Sequence, residues 1–261
     1  MHDFTFVKPS SVAEAVRALA ATGAQALSGG QTLTPTMKAR LAAPAVLVSL
    51  TGIAAIKGVA MVEGGLQIGA ATPHAVVARE AAGFYPALAA LAGGIGDPAV
   101  RNRGTIGGSV ANNDPAACYP AAVLASGATV VTDRRRIAAD DYFHGLFTTA
   151  LEDGEIITAV IFPVPQKAAY IKFDQPASRF ALTGVFVAKY AGGVRVAVTG
   201  AGNNGVFRWT DAERALSADF LASAIAGLKV DAAGMLADRH GSAAYRANLV
   251  KVLTGRAVSA A

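Results

Sequence analysis

The chain has 261 residues, a net charge of +5 and 53% hydrophobic residues, enough for one large or two small domains with a real core. Its single cysteine, Cys118, excludes an internal disulfide, a four-ligand iron–sulfur cluster and a structural zinc site. The four histidines, His2, His74, His144 and His240, are widely separated and show no ligand spacing, so no metal site within the chain is expected.

Mean hydropathy is high at +0.41, but much of it is alanine. The stretch Pro115 to Thr132, "PAACYPAAVLASGATVVT", holds Pro115, Pro120 and Gly127 and reads as a helix followed by a strand, not a bilayer span. The start, "MHDFTFVKPSS", has no basic segment followed by an apolar stretch, so no signal peptide is expected and a cytoplasmic location is the default. The dense basic run Arg134 to Arg136 lies in a turn between two strands with no aromatics interleaved. It reads as basic surface, not as a nucleic-acid platform.

In chain order, "FTFVKP" is a short strand. Ser10 or Ser11 caps the helix "VAEAVRALAAT", whose apolar residues recur at helical spacing. "AQAL" is a strand ending at Gly29-Gly30. Thr34 followed by Pro35 signals a helix running to about Leu41, and "AVLVSL" is a buried strand. The first fifty residues thus read β-α-β-α-β. A hairpin turning at Glu63-Gly64-Gly65 follows, then a helix opened by Thr72-Pro73, then "YPALAALAGG", another helix. After the glycine-dense segment, Asp114 caps "PAACYPAAVLAS". From Ala128 strands continue to "GEIITAVIFPVP", where Pro163 and Pro165 mark a boundary. Beyond it come three strands and two helices, Asp211 to Leu228 and Ala243 to about Val258, an α+β module.

Two segments carry chemistry: "LSGGQTLTP", Leu27 to Pro35, and "RNRGTIGGSVANNDP", Arg101 to Pro115. Glycine admits unusual backbone angles and removes side chains that would keep a ligand from the main chain. Successive N–H groups in such turns bind anions. In the first segment a helix start follows Gly29-Gly30, which makes a phosphate site. Thr32 and Thr34 add hydroxyls. The second repeats the ingredients, with Thr105 and Ser109 flanking Gly107 and Gly108. Two such loops suit a diphosphate, that is, a dinucleotide. For either loop alone a tight, closely packed turn is the other reading. Neither a GxGxxG opening a βαβ unit nor a GxxxxGK[ST] is present.

Four segments in order, "LSGGQTLTPTMKARLAAPAVLVSL", "IGAATPHAVV", "GDPAVRNRGTIGGSVANNDPAACYPA" and "FTTALEDGEIITAVIFPVP", resemble the medium, FAD-binding subunit of the molybdenum hydroxylases. This is the xanthine dehydrogenase and aerobic carbon monoxide dehydrogenase group, and the carbon monoxide dehydrogenase type is nearest. The resemblance covers essentially the whole chain. It implies an α+β fold: a two-part FAD-binding domain of the vanillyl-alcohol-oxidase (PCMH) type over residues 1–166, with parts of about 1–54 and 55–166. A C-terminal domain, 167–261, would hold a three-stranded antiparallel sheet and helices.

It also implies that Ser28, Gly29, Gly30, Gln31, Thr32 and Leu33 form the first flavin loop, and Thr105, Ile106, Gly107, Gly108 and Ser109 the second. Asn113 and Asp114 would sit near the ribityl or ribose part, Ile157 on the adenine, and Lys172 near the flavin. No side chain is expected to act as a general acid or base. The chain departs from the family in having Ser-Gly-Gly-Gln-Thr where Ala-Gly-Gly-His-Ser is common, and Cys118 and Arg179 where many members carry an acid. A thiol cannot hold a ribose hydroxyl as a carboxylate does, and Cys118 reads as a small core residue.

The implied function is electron transfer within a three-subunit molybdenum hydroxylase. FAD on this chain would take electrons from two 2Fe-2S clusters of a small subunit and pass them to an external acceptor. The molybdenum cofactor would lie on a large subunit. The assembly would be a dimer of heterotrimers, cytoplasmic or held at the inner face of the membrane through the complex. This chain alone would hydroxylate nothing. The alternatives are a stand-alone FAD-dependent NAD(P)H reductase or oxidase and a flavin-free scaffold subunit. Co-purification with larger and smaller partners separates the first from the family reading.

Overall fold

A computed structural model describes residues 1–261. The chain begins with strand β1 (Thr5–Val7), helix α1 (Val12–Leu19), β2 (Ala24–Leu27), α2 (Leu33–Lys38) and β3 (Val46–Ser49). The three strands form one parallel sheet in the order β1-β3-β2. Parallel strands need crossovers, and α1 and α2 supply them. Ser11 caps α1 by accepting from the Glu14 N–H, while Glu14 Oε2 accepts from the Ser10 N–H and hydroxyl. Helix α2 starts earlier than Thr34-Pro35 suggested: Thr32 is its cap residue, and Thr34 and Pro35 lie inside the first turn. Proline is tolerated there because first-turn N–H groups have no helical partner anyway.

The hairpin β4 (Val59–Val62) and β5 (Gly65–Gly69) follows, then α3 (His74–Glu80), α4 (Pro86–Gly93), the short α5 (Pro98–Arg101), α6 (Ile106–Asn112) and α7 (Tyr119–Ala125). Strands β6 (Thr129–Thr132), β7 (Arg136–Ala138), the small hairpin β8 (Phe143–Gly145) and β9 (Thr148–Thr149), and β10 (Ile157–Phe162) complete this part. Its sheet is antiparallel, in the order β4-β5-β10-β6-β7. The second Gly-Gly step is therefore helix, not loop: Gly107 and Gly108 lie in the first turn of α6. Asp114 does not cap α7 directly. Its carboxylate accepts from the Ala116 N–H, and the helix begins only at Tyr119.

The last third contains β11 (Lys167–Asp174), β12 (Ala181–Tyr190), β13 (Gly193–Thr199), β14 (Phe207–Arg208), α8 (Thr210–Ala218) and α9 (Ala243–Ala260). The antiparallel sheet runs β11-β12-β13-β14, so the expected three strands gain a two-residue fourth. The helix expected from Asp211 to Leu228 ends at Ala218, and a separate 3-10 turn covers Ala222–Ile225. Between them the Phe220 ring lies under Lys167 and Lys189, at 5.9 and 5.0 Å from their ammonium nitrogens. Asp219, with φ of −144° and ψ of 110°, takes the chain out of the helix into this contact.

Three hydrophobic clusters follow the three larger sheets. A cluster of 31 buried residues lies around β5, β10, α4 and α7, one of 19 around β12, β13 and α9, and one of only seven beneath the first sheet. Every residue of α7 is buried, and the helix packs against β12 and β13. Its alanines let the central part and the last sheet approach closely. Arg246 of α9 is buried, with Nη1 donating to the Leu182 and Gly200 carbonyls and Nη2 to Asp238. Those bonds are what makes a buried guanidinium tolerable. No helix is long and apolar enough to cross a membrane.

Candidate flavin site

A cleft of about 510 Å³ opens between the first sheet and the central part, within the ~300–1,000 Å³ range of small-molecule sites. Its floor is the segment after β2. Ser28, Gly29, Gly30, Gln31, Thr32 and Leu33 all line it. None of the six backbone N–H groups has an acceptor within the chain. Folded chains pair nearly all their backbone donors or leave them to water, so six consecutive free donors along a cleft wall form an anion cradle. Gly30 holds a left-handed φ of +70°, which a side chain would strain. The Gln31 amide is turned back onto the Gly29 carbonyl, donating at 3.2 Å.

Gly29 is also where the two glycine segments meet. A Cβ there would lie 2.2 Å from the Arg103 carbonyl oxygen and 2.6 Å from Gly104 Cα. The junction is closed by Ser28 Oγ, just past β2, and Thr105 Oγ1, the cap of α6, 2.7 Å apart. Thr105 Oγ1 also accepts from the Gly108 N–H at 3.2 Å, as cap of α6.

The second segment has little left for an anion. The Ile106 N–H donates to the Thr72 carbonyl, Gly107 to Ala70, Gly108 to the Thr105 hydroxyl and Ser109 to the Thr105 carbonyl. Its glycines serve contact instead. A Cβ on Gly107 would stand 2.5 Å from Ala70 Cβ at the end of β5. Thr105, Gly107, Gly108 and Ser109 line the cleft, and Ile106 is turned into the core, fully buried.

The remaining walls are mixed. Ile157, with Leu151, Ile156 and Leu50, makes an apolar end. Glu155 lines the same end, and hydrogen bonds from Arg135 first, then from the Glu152 N–H and Thr132, hold its carboxyl down at about 2 against the opposing effect of burial. Asp114 lines the cleft with Ala116, Ala117 and Cys118, a stretch fixed by Thr199, whose hydroxyl lies 2.8 and 2.7 Å from the Pro115 and Ala117 carbonyls. Burial pushes the Cys118 thiol up, so it stays protonated, in keeping with a small core residue.

Besides Ile106, two more expected residues lie off the cleft. Asn113 is buried with a left-handed φ of +43°, and its amide nitrogen donates to the Gly145 and Thr148 carbonyls. It ties the end of α6 to the β8–β9 hairpin. Lys172 Nζ donates to the Gly94 and Arg179 carbonyls, each at 2.8 Å, and pairs with Asp174 at 2.8 Å. It clamps the β11–β12 loop, whose Ser178, Arg179 and Phe180 form the cleft's lip. Arg179 has φ of +59° and no carboxylate partner within 4 Å.

Sequence reasoning missed His74. It is 5% exposed, lines the cleft from the start of α3, and lies against Tyr119 with ring centroids 5.3 Å apart. Burial, aided by the Arg101 charge, pushes its pKa down to about 4. The signal was its place directly after Thr72-Pro73, a helix start beside the second glycine segment.

These walls suit FAD. A diphosphate finds six free N–H donors and no carboxylate on the floor segment. A planar ring finds apolar cover at Ile157, and glycines keep the main chain open. A family model described as the FAD binding domain in molybdopterin dehydrogenase matches residues 2–165. The nicotine 6-hydroxylase medium subunit of Paenarthrobacter nicotinovorans is 34% identical, over 97% of this chain and 95% of the relative. The carbon monoxide dehydrogenase medium chain of Afipia carboxidovorans is 32% identical, over 99% and 96%. Among solved structures, reconstituted CO dehydrogenase from Oligotropha carboxidovorans superposes with a TM-score of 0.89 at 30% identity, covering 99% of this chain and 97% of that one. Quinoline 2-oxidoreductase from Pseudomonas putida 86 gives 0.87 at 27% identity, covering 100% and 97%. Free donors, close-packed glycines and full-length likeness agree, and the chain belongs to the family of FAD-binding medium subunits of the molybdopterin dehydrogenases.

Proposed function

We propose that this chain holds FAD in the cleft with the diphosphate on Ser28–Leu33, and that it works between a small iron–sulfur subunit and an external electron acceptor. The observation that carries the site assignment is the run of six unpaired N–H groups. In this reading Thr105, Gly107, Gly108 and Ser109 form the opposite wall, and Ile157 covers the adenine. Asp114 faces the sugar part, and the Ser178–Phe180 lip borders the ring end. Ile106, Asn113 and Lys172 support the site from behind: Ile106 anchors α6 in the core, Asn113 holds its end, and Lys172 holds the lip.

Bound FAD supplies the exchange between one-electron and two-electron carriers. The chain's part is to orient the cofactor, exclude water from its apolar end and leave one edge accessible at the lip. In the cleft the His74 ring is held neutral, the Cys118 thiol is held protonated, and Glu155 is held ionised by Arg135.

These two relatives are named as a medium subunit and a medium chain, which supports large and small partner subunits; in this reading the large one holds the molybdenum cofactor, the small one the iron–sulfur clusters, and the assembly is a dimer of heterotrimers. A cytoplasmic place for the complex fits this reading. So does a division at 166/167, supported by the family match to residues 2–165 and by the separate cluster around β12, β13 and α9. The test is the visible spectrum of the purified chain, followed by heat release and chromatography of its cofactor. Stoichiometric FAD, lost when Gly30 is changed to valine in protein that remains folded, supports the reading. Folded wild-type protein that carries none and takes up none overturns it.

A further inference from the structure

The His74 ring is nineteen-twentieths buried, yet neither ring nitrogen has a hydrogen-bond partner in the chain. Nδ1 is sealed off without one. Nε2 is the nitrogen left accessible, and the surface it reaches is the cleft, beside Gly104. A Cβ on Gly104 would sit 2.6 Å from Nε2, so the glycine is what lets the ring stand there. Gly104 in turn packs against Gly29, so Nε2 stands beside one residue of the junction between the two glycine segments. Buried polar atoms are rarely left unpaired, and a free N–H costs more than a free lone pair on a ring that is neutral. The proton therefore belongs on Nε2, with the bare lone pair of Nδ1 sealed inside. That is a single oriented donor, and nothing in the chain accepts from it.

We propose that His74 is a cofactor-binding residue: its Nε2–H donates a hydrogen bond into the cleft to bound FAD. This rests on the flavin reading above. The packing alternative, a ring that merely fills space against Tyr119, leaves the orphaned nitrogens unexplained.

The experiment is a titration of the deflavinated full chain with FAD, followed by flavin fluorescence, for wild type, His74→Gln, His74→Leu and Tyr119→Phe. A lost donor to a buried acceptor corresponds to about a tenfold change in Kd. His74→Leu is expected to weaken FAD binding about tenfold or more, His74→Gln to recover part of it, and Tyr119→Phe to leave it unchanged. Nitrogen-15 NMR of histidine-labelled wild type needs no variant. It should report the Nε2–H tautomer before FAD is added and a shift of that nitrogen afterwards. Unchanged affinity in His74→Leu, or a wild-type ring whose nitrogens do not respond to bound FAD, overturns the proposal while leaving the flavin reading intact. Wild type that binds no FAD overturns both.

Discussion

Gly29-Gly30 and Gly107-Gly108 look alike in sequence, each with flanking hydroxyl residues and a helix close behind. In the fold they divide the work. The first leaves its N–H groups free and offers them to the cleft, while the second spends its own on Ala70, Thr72 and Thr105. In the proposed reading the first is a binding surface. The second is a close-packed wedge that brings α6 against β5 and sets the far wall. The same dipeptide serves recognition in one place and approach in the other, and only the neighbours decide which.

The comparison can be broken most severely at Gly29. Its substitution by alanine sets a Cβ against backbone that cannot yield, so Gly29→Ala should separate the segments. We expect a loss of roughly 3 kcal/mol or more in chemical denaturation, with FAD content near zero. Gly107→Ala should cost about 1–3 kcal/mol of stability by overpacking against Ala70. Because its N–H is already used, FAD affinity measured below the unfolding transition should change far less than in a first-segment variant. Equal losses of affinity at Gly30 and Gly107 would refute the division.

Glu155 sharpens the contrast from the opposite wall. Its folded pKa of about 2 lies below the ordinary value of 4.5, so its contribution is full above the ordinary value and fades as pH falls toward the folded one. Melting temperature should decline between about pH 5 and pH 2, and Glu155→Gln should be less stable at neutral pH and flatter across that window. The smallest effect belongs to Ser28→Ala, which removes one hydroxyl of the 2.7 Å contact with Thr105. About 0.5–1.5 kcal/mol is expected, read from paired denaturation curves.

Much of this was legible in the sequence because it is local. Ser11 with Glu14, the Glu63-Gly64 turn and the Pro73 and Pro86 helix starts announce their elements, and the β-α-β-α-β opening stands as read. The first segment's unpaired donors were legible too, since they follow from a Gly-Gly step directly before a helix. The second segment's role was not, because Ala70 and Thr72, which consume its donors, lie more than thirty residues away along the chain. Nor was the early end of α8, beyond which Phe220 packs under Lys167 and Lys189 of β11 and β12. Asn113 and Lys172, expected beside the flavin, lie off the cleft. Which way their polar atoms turn is set by the Gly145, Thr148, Gly94 and Arg179 carbonyls, which no spacing rule reveals.

The first sheet rests on a buried cluster of seven residues, against 31 in the central one. The cleft lies along the seam between them, and the Ser28–Thr105 contact crosses it. Under the proposed reading a nucleotide there acts as a staple, adding stability that grows with the logarithm of its free concentration. The seam then reports on supply. Under that reading, limited proteolysis should cut the N-terminal strands sooner in flavin-depleted than in flavin-loaded protein.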